Sequence, residues 1–445
     1  MMKIWIKNPL AILAQQAENG LVIEDDKIIE LVARGNQPST LVDAVIDARE
    51  HVVIPGLVST HHHYYQTLTR AFYDSLDKEL FDWLTTLYKV WQNLTPESLH
   101  VASKTAMAEL LLSGCTTSAD HHYVFPRGLE NAIDIQVEAA SEMGIRSVLT
   151  RGSMNLSQKD GGLPPDSVVQ DEEVILADCE RLIHKYHDDS DGAMIQIALA
   201  PCSPFSVSKS IMEHTAILAK KHNVRMHTHL SETEDENQFC LKMFGCRPLD
   251  YLEQVGWLND KTWLAHAIHY TDEELVRLGR AGVGMGHCPS SNMILSSGMF
   301  RGVAAERAGC KVSIAVDGSA SNDHSNMMLE LRQAFLLQRL QYSSALSHND
   351  ILRWGTKGGA AALGRTDIGE LVVGKQADIA MFKLDEIQFM GADNPLAALI
   401  ICGATRADKV MVKGKLLVDN GQLIYLDLAK HAQEHKRAQA SMRAK

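Results

Sequence analysis

Residues 54–72 read IPGLVSTHHHYYQTLTRAF, and their first ten positions guide the interpretation of the rest of the chain. A short apolar run ends in three consecutive histidines, His61, His62 and His63, which is typical of a buried strand that stops at a polar site. Alternate residues of a strand face the same side. We therefore expect the side chains of His61 and His63 to point together, with His62 turned away.

Strand-like runs of this kind recur along the chain as far as about Leu363. Stretches with helical periodicity separate them, and one such stretch begins with Thr95 as N-cap and Pro96 at the first helical position, and ends at Gly114. This alternation indicates a parallel sheet, and eight units are the number in a (β/α)8 TIM barrel. The eight runs are HVVIPGLVST, TTSADHHY, IRSVLTRGSM, IQIALAP, VRMHTHLSE, TWLAHAIH, GVGMGHCPSSN and KVSIAVDGSASND.

The two ends of the chain have a different pattern. Apolar and polar residues alternate around NGLVIEDDKIIELV near the N-terminus, and short strand-like runs with glycine turns return after about Arg365. We predict an α/β protein: a TIM barrel with a small β-sandwich domain built from both chain ends. The predicted ranges are 1–56 for the N-terminal part of the β domain, 57–364 for the barrel, 365–425 for the C-terminal part of the β domain and 426–445 for a C-terminal helix or tail.

Composition excludes several classes of function. The 445 residues carry a net charge of −12, which disfavours nucleic-acid and anionic-membrane partners. The eight cysteines are scattered without a CxxC pair, as in a cytosolic protein with reduced thiols. No signal peptide is recognisable, and no apolar run reaches the length of a membrane span. We expect a cytoplasmic protein and leave self-association into a homo-oligomer open.

Polar residues recur at the C-terminal ends of the predicted strands, the rim at which barrel enzymes carry out their chemistry. The fifth run ends in HTHLSE, with His229 and Glu232; the sixth ends at His266 and the eighth at Asp317. Together with the histidines of the first run, this set suits a divalent metal that activates water. A glutamate that is not a ligand can take and return protons.

Each feature has a plainer explanation when it is taken alone. A lone HxH pattern is common in proteins that bind no metal. Asp317 also fits the N-cap of a following helix, and His227 fits a hydrogen-bonded core residue deeper in the barrel. The joint pattern favours the metal site, because polar groups fall at the same level on strands one, five, six and eight, where chance would scatter them.

These motifs resemble the amidohydrolase superfamily. PGLVSTHHH is similar to its PGLVxxHxH opening, HTHLSE to its fifth-strand HxxE motif, LAHAIH to its sixth-strand histidine and VDGSASND to its eighth-strand aspartate. The resemblance covers essentially the whole chain and implies one divalent metal, usually zinc, although Fe2+ suits the same ligand types. The implied metal ligands are His61, His63, His229 and Asp317. The implied catalytic residues are Glu232, His266 and Asp317.

The fourth run, IQIALAPCSPF, lacks the lysine that often bridges two metals in binuclear members of the superfamily. Its absence favours a single metal and the deaminase branch. The resemblance then implies a metal-dependent aminohydrolase, in which activated water attacks a ring carbon that bears an amino group. Asp317 and His266 would accept the water proton, and Glu232 would protonate the neighbouring ring nitrogen.

The resemblance also suggests how the substrate is bound. Gln66 lies where guanine deaminases carry a glutamine that recognises the purine edge, and an amide offers both a donor and an acceptor. The Arg-Phe pair of those enzymes is replaced by Cys202-Ser203-Pro204-Phe205, which puts their guanine-carbonyl contact in doubt. Trp91 stands where nucleoside deaminases bind ribose with a glutamate, which favours a free base. The predicted substrate-binding residues are Gln66, Trp91, Tyr123 and Cys202, with Arg151 and Ser291 as weaker candidates.

Several stretches, among them LLLSGCTTSADHHYVFPRGLE and HCPSSNM, resemble the bacterial 8-oxoguanine deaminases. The substrate implied is a small heterocycle, 8-oxoguanine, converted with water to uric acid and ammonia. Guanine, isocytosine, pterins and hydroxylated s-triazines stay open as alternatives, because these rings are also flat and amino-substituted. A non-enzymatic protein of this fold is disfavoured because every expected ligand is kept, and no GxSxG, GxGxxG or HExxH motif supports another enzyme class.

Overall fold

The computed structural model describes residues 2–443, and its first six strands precede the barrel. Strands β4, β3, β1 and β5 form one sheet in that order, while β2 and β6 belong to a second sheet completed by the C-terminal region. The six strands are β1 Lys3–Lys7, β2 Ala11–Ile12, β3 Gly20–Glu24, β4 Lys27–Leu31, β5 Ala44–Asp47 and β6 His51–Pro55.

The predicted TIM barrel is confirmed. Strands β7 and β9 to β15 form one eight-stranded parallel sheet in chain order, and the backbone N–H of Thr60 approaches the carbonyl of Ile314 at 3.3 Å where its edges meet. A short parallel pair, β8 with β16, sets Asp317 opposite His62 at this seam. The strands are β7 Leu57–Ser59, β8 His62–His63, β9 Cys115–His122, β10 Arg146–Ser153, β11 Ile195–Pro201, β12 Met226–Leu230, β13 Thr262–His266, β14 Gly284–His287, β15 Lys311–Ile314 and β16 Asp317–Gly318.

Helices follow the barrel strands and cover the sheet. Helix α2 begins as predicted, because the Thr95 hydroxyl accepts from the backbone N–H of Ser98 and Pro96 occupies the first turn. The helices of this region are α1 Leu80–Trp91, α2 Pro96–Leu112, α3 Ala132–Met143, α4 Glu172–Tyr186, α5 Lys209–His222, α6 Glu234–Phe244, α7 Pro248–Gln254, α8 Asp272–Arg280, α9 Pro289–Ile294, α10 Gly302–Arg307, α11 Met327–Tyr342, α12 His348–Arg353 and α13 Gly359–Ala362.

The C-terminal region completes the second sheet, whose order is β2, β6, β17, β18, β19, β20. A hydrophobic cluster that includes Ile6, Leu21, Val53 and Ile379 joins both terminal sheets, so the β-sandwich is built from both ends of the chain. The domain ranges themselves stay a prediction. The remaining elements are β17 Ile379–Lys383, α14 Pro395–Ala398, β18 Lys409–Val412, β19 Lys415–Asp419, β20 Gln422–Leu423 and α15 Leu428–Arg443.

Helix α15 packs against α2 and is partly buried. The side chains of Ala438 and Met442 are buried, and the ring of His431 contacts the Thr105 hydroxyl on α2 at 2.8 Å. The last two residues of the predicted tail, 444–445, lie outside the described part of the chain. Among the described residues, none of the helices is both long and apolar enough to cross a membrane.

Candidate active site

The C-terminal ends of the barrel strands bring four predicted side chains together. The Nε2 atoms of His61 and His63 lie 3.3 and 3.4 Å from Asp317 Oδ1. The Nε2 atoms of His63 and His229 are 3.2 Å apart. His62 turns away, with its Nε2 2.9 Å from the hydroxyl of Ser325. The pairing of β16 with β8 is what carries Asp317 to the histidines of the first strand.

Hydrogen bonds on the far side of each ring determine which nitrogen is free. His63 Nδ1 lies 2.6 Å from the carbonyl of His121, and His229 Nδ1 lies 2.7 Å from the carbonyl of Cys202. A carbonyl can only accept, so Nδ1 carries the hydrogen in both rings. In the neutral imidazole the Nε2 atom is then a bare lone pair directed at the cluster.

In His61, too, Nδ1 carries the hydrogen, in this case because it contacts a second histidine. His227 Nδ1 donates to the carbonyl of Trp263 at 2.8 Å, so His227 Nε2 accepts from His61 Nδ1 at 2.7 Å. His61 Nε2 is left bare, buried and without a hydrogen-bond partner in the described part of the chain. The earlier interpretation of His227 as a hydrogen-bonded core residue agrees with this contact, but its partner is one of the predicted metal ligands.

The cluster fits a divalent cation. Burial lowers the pKa of His61, His63 and His229, which keeps the three imidazoles neutral. Burial alone would raise the pKa of Asp317, but its histidine neighbours, including His266 whose own pKa is raised, outweigh this and hold the pKa of Asp317 well below its usual value. Three bare nitrogen lone pairs and a carboxylate oxygen thus meet with no hydrogen between them, an arrangement that suits zinc or iron.

Glu232 and His266 face each other beside this cluster. His266 Nε2 lies 3.5 Å from Glu232 Oε2 and 3.9 Å from Asp317 Oδ2. Burial raises the pKa of Glu232 against the opposing effect of His266. Burial would lower the pKa of His266, but the charges of Glu232 and Asp317 outweigh it and raise the pKa. Glu232 and His266 are therefore suited to exchange protons.

Left-handed backbone occurs at the strand ends that carry these groups. The φ angles are 55° at Ser231, 64° at His266, 52° at Ala267 and 63° at Asp317. Such angles cost a non-glycine residue roughly 1–2 kcal/mol each, and they cluster at functional sites. The sequence carries no sign of this strain, since none of the four is a glycine or asparagine.

Three residues that sequence reasoning missed orient the proton-carrying pair. Asn292 Oδ1 accepts from His266 Nδ1 at 2.9 Å, which leaves His266 Nε2 facing the cavity. The Ser297 hydroxyl donates to Glu232 Oε1 at 3.1 Å. The Glu236 carboxylate accepts from the backbone N–H groups of Ser231 and Glu232 and so holds the strand end in place. Asn292 lies within the HCPSSNM stretch, which was the available signal for it.

A cavity opens above the cluster. Its floor is polar, and its wall is largely apolar and aromatic. The lining residues are His63, Gln66, Leu80, Trp83, Leu84, Tyr88, Tyr123, Cys202, Phe205, His229, Glu232, His266, Leu295, Asp317 and Ser321.

Gln66 lines this cavity in a defined orientation. Its Oε1 accepts from the backbone N–H of Ala320 at 3.3 Å, which leaves Nε2 buried without a partner among the described residues. The amide therefore offers a donor to a ligand, rather than the donor and acceptor expected from the sequence. A Cβ atom on Gly318 would lie 1.9 Å from Gln66 Oε1, so glycine at 318 is required for this contact.

Tyr123 and Cys202 line the cavity, whereas Trp91 does not. Tyr123 packs edge-on against His63, with 5.0 Å between ring centres, and burial raises the pKa of the Cys202 thiol to about 12. Trp91 lies behind the wall, where its Nε1 donates to the Thr69 hydroxyl at 3.2 Å. Trp83, two helical turns earlier on α1, lines the cavity instead. Both indoles lie on the same face of α1, and the position along the helix axis decides between them.

The weaker candidates lie outside the cavity lining. Arg151 points away from the barrel mouth, and its Nε donates to Asp178 on α4 at 2.6 Å. Ser291 donates to the hydroxyl of Ser321 at 2.9 Å, and Ser321 lines the cavity. The Arg151 side chain therefore lies between the barrel and α4, outside the cavity, whereas Ser291 contacts a residue that lines the cavity.

Comparisons with known proteins agree with this geometry. The profile of the amidohydrolase family matches residues 52–417. An 8-oxoguanine deaminase of Pseudomonas aeruginosa is 56% identical over 446 aligned residues, which cover 99% of this chain and 99% of that protein. A hydroxydechloroatrazine ethylaminohydrolase of Pseudomonas sp. strain ADP is 34% identical over 392 residues, covering 86% of this chain and 81% of that protein.

A solved structure is similar to this chain over nearly its whole length. Atrazine chlorohydrolase from Arthrobacter aurescens in complex with zinc superimposes with a TM-score of 0.91 at 31% identity, covering 98% of this chain and 100% of that one. The buried histidine groups and this zinc-bound neighbour together support a divalent metal in the cluster.

Proposed function

The chain belongs to the amidohydrolase family, and on that premise we propose that it is a metal-dependent deaminase of a free purine-type base, 8-oxoguanine. The reaction is hydrolysis of 8-oxoguanine to uric acid and ammonia. The choice of substrate rests on the 56% identity, over 99% of both chains, to the 8-oxoguanine deaminase of Pseudomonas aeruginosa.

We assign the metal to His61, His63, His229 and Asp317, whose free donor atoms converge. Zinc is the metal we propose, since the neighbouring hydrolase structure holds zinc. Bound there, a divalent metal supplies Lewis acidity, which lowers the pKa of water toward neutrality. The hydrogen bonds that His61, His63 and His229 donate to His227 Nε2 and to the carbonyls of His121 and Cys202 keep the ligand nitrogens pointed inward.

Protons then move through this chain's own carboxylates and imidazole. Glu232, whose pKa is raised by burial, gives a proton to the ring nitrogen beside the amino-bearing carbon. Asp317 Oδ2 and His266 Nε2 accept the proton of the attacking water. That proton passes to the amino group as the carbon–nitrogen bond breaks and ammonia leaves, while the second proton of the water returns to Glu232 and the oxygen stays on the carbon as a carbonyl.

The cavity recognises the ring through donors. Gln66 Nε2 is placed to donate to a carbonyl or ring nitrogen near the floor, and the aromatic wall excludes water from the reacting carbon. A neutral Cys202 thiol on the wall gives no charged contact to the base. These features suit an uncharged, flat, carbonyl-bearing heterocycle.

The test is ammonia release from the zinc-loaded protein with 8-oxoguanine, guanine, isocytosine, a pterin and a hydroxylated s-triazine as separate substrates. We expect the largest kcat/KM with 8-oxoguanine. A higher kcat/KM with another ring would agree with the proposed mechanism but would reject 8-oxoguanine as the substrate. No release from any ring by the protein with metal bound would reject the deaminase assignment.

A hydroxylated s-triazine is the second candidate. It is favoured by the hydroxydechloroatrazine ethylaminohydrolase relative, at 34% identity. Cytoplasmic location and self-association stay predictions from the sequence; all eight cysteines are free thiols, as expected for a reducing compartment.

A further inference from the structure

Helix α1 covers the mouth of the barrel, opposite the strand ends that form the cavity floor. Leu80, Trp83, Leu84 and Tyr88 lie on one face of this helix and line the cavity. Tyr88 is fully buried, and its hydroxyl has no hydrogen-bond partner among the described residues. A buried hydroxyl is normally paired, so this one is available to a ligand.

The Tyr88 hydroxyl is a donor with no acceptor within hydrogen-bond distance among the described residues. Burial raises the pKa of Tyr88 well above its usual value, so the phenol keeps its hydrogen. The indole of Trp91 lies beside the Tyr88 ring, with 5.9 Å between ring centres, and Cys202 and Tyr65 are the nearest titratable neighbours of the hydroxyl. A wall with an unpaired donor suits a ligand that brings a carbonyl to it.

A second unpaired donor lies near the floor. Gln66 Nε2 is buried without a partner, while its Oε1 is held by Ala320 beside Gly318 and Asp317. The cavity thus offers donors at two separate places, one beside the polar floor and one on the covering helix. A heterocycle with two carbonyl groups can satisfy both, whereas a ring with one carbonyl leaves a donor unpaired.

8-Oxoguanine carries carbonyls at C6 and C8. The reacting carbon is C2, and C8 lies at the opposite end of the purine. With C2 at the floor, between Glu232 and the histidines, the C8 carbonyl extends toward the wall that α1 builds. Guanine has a hydrogen in place of this carbonyl and would leave the Tyr88 hydroxyl without a partner.

We propose that the Tyr88 hydroxyl donates a hydrogen bond to the carbonyl opposite the amino-bearing carbon, and that it thereby selects 8-oxoguanine over guanine. This inference rests on the proposed function, because the position of the C8 carbonyl follows from C2 being the reacting carbon. Tyr88 is a specificity-determining residue in this scheme and takes no part in proton transfer.

The experiment compares Tyr88→Phe with the wild-type enzyme on 8-oxoguanine and guanine. Tyr251→Phe is the matched control, since Tyr251 is also buried with an unpaired hydroxyl but stacks on Phe244 outside the cavity. We expect Tyr88→Phe to lose about tenfold in kcat/KM for 8-oxoguanine, mainly through KM, and less than about twofold for guanine. Tyr251→Phe should change neither value. Metal content and melting temperature establish that both variants are folded.

Two results would overturn the proposal: an equal loss on both substrates, or no loss on 8-oxoguanine. If the wild-type enzyme releases ammonia from neither ring, the proposed function fails and calorimetric binding tests Tyr88 separately. Uric acid keeps the remote carbonyl and xanthine lacks it. We then expect wild-type protein to bind uric acid about tenfold more tightly than xanthine, a preference lost in Tyr88→Phe. Equal binding of the two, or no binding, also rejects the role of Tyr88.

Discussion

The floor and the wall of the cavity are built in different ways. On the floor, the rings of His63, His229 and His227 each donate to a backbone carbonyl, so every ring has one orientation. On the wall, Leu84, Phe205 and Leu295 are held by packing alone. The floor consists of strand ends, whereas much of the wall comes from α1 and from loops.

This difference in construction indicates that the floor carries out the reaction, whereas the wall determines which ring is bound. Directional hydrogen bonds to barrel backbone fix reacting groups to within the tolerance that proton transfer needs. Packed side chains on a covering helix set the shape and polarity seen by the rest of the ring, and they can change without moving the floor. Substitutions on the floor should therefore reduce turnover or metal affinity, while substitutions near the wall should change KM.

The largest effect is expected at Glu232. Glu232→Gln keeps the shape of the side chain and its contact with Ser297 but removes the transferable proton. We expect kcat to fall by about 10²–10⁴-fold with the bound metal retained. Measurement of kcat together with metal content by atomic absorption checks this, and normal turnover would remove Glu232 from the mechanism.

The matched control for that variant is Glu330→Gln. Glu330 is equally buried but lies on α11 outside the cavity lining, where Ser290 donates to it. Burial raises the pKa of Glu330 to about 8, so it already carries a proton at neutral pH and an amide resembles it closely. This variant should keep its turnover.

A smaller effect is expected at His227, which acts through His61. His227→Phe fills the same space and keeps the stacking on Trp263, but it removes the acceptor for His61 Nδ1. Loss of such a partner typically lowers metal affinity by about 10–100-fold. Competition with a chelator measures the affinity. His287→Phe is the control, because His287 is a buried histidine that stacks on Phe300 and contacts none of the proposed ligands; equal affinity in both variants would contradict the role of His227.

The smallest effect is expected where the floor meets the wall, at Gln66. Gly318→Ala would place Cβ in the position of Gln66 Oε1 and displace the amide. We expect Gly318→Ala and Gln66→Ala each to raise KM by about tenfold, the size of one hydrogen bond, with metal content unchanged. The double variant should be no worse than Gln66→Ala alone, since both changes remove the same contact. Additive losses would show that Gly318 serves another purpose.

Much of the floor could be predicted from the sequence because its residues follow β-strands with a local pattern. The spacing of two in His61 and His63 places both side chains on one face, and His229, His266 and Asp317 each close a strand-like run. Parallel strands end at the same rim, so residues at these ends meet without further information. The family resemblance then supplied their roles.

The wall was predicted less well because the placement of a helix over the barrel and the path of a loop are not local properties. Trp91 and Trp83 lie on the same helix, and only the packing of α1 on the barrel shows that Trp83 faces the cavity. Arg151 occupies a barrel strand but points to Asp178 outside it. Asn292, Ser297 and Glu236 act through side-chain hydrogen bonds whose partners are set by the path of the loops.

By itself, the sequence determined the eightfold alternation of strands and helices and the strand ends that carry histidine, glutamate and aspartate, because periodicity and chain order are encoded locally. Only the tertiary structure decided the rest. Pairing of β16 with β8 brings Asp317 to His61, the contact with His227 leaves His61 Nε2 free, and the close approach at Gly318 turns the Gln66 amide. Each of these depends on contacts between segments far apart in the chain, and strand register and helix placement exist only once the barrel has closed.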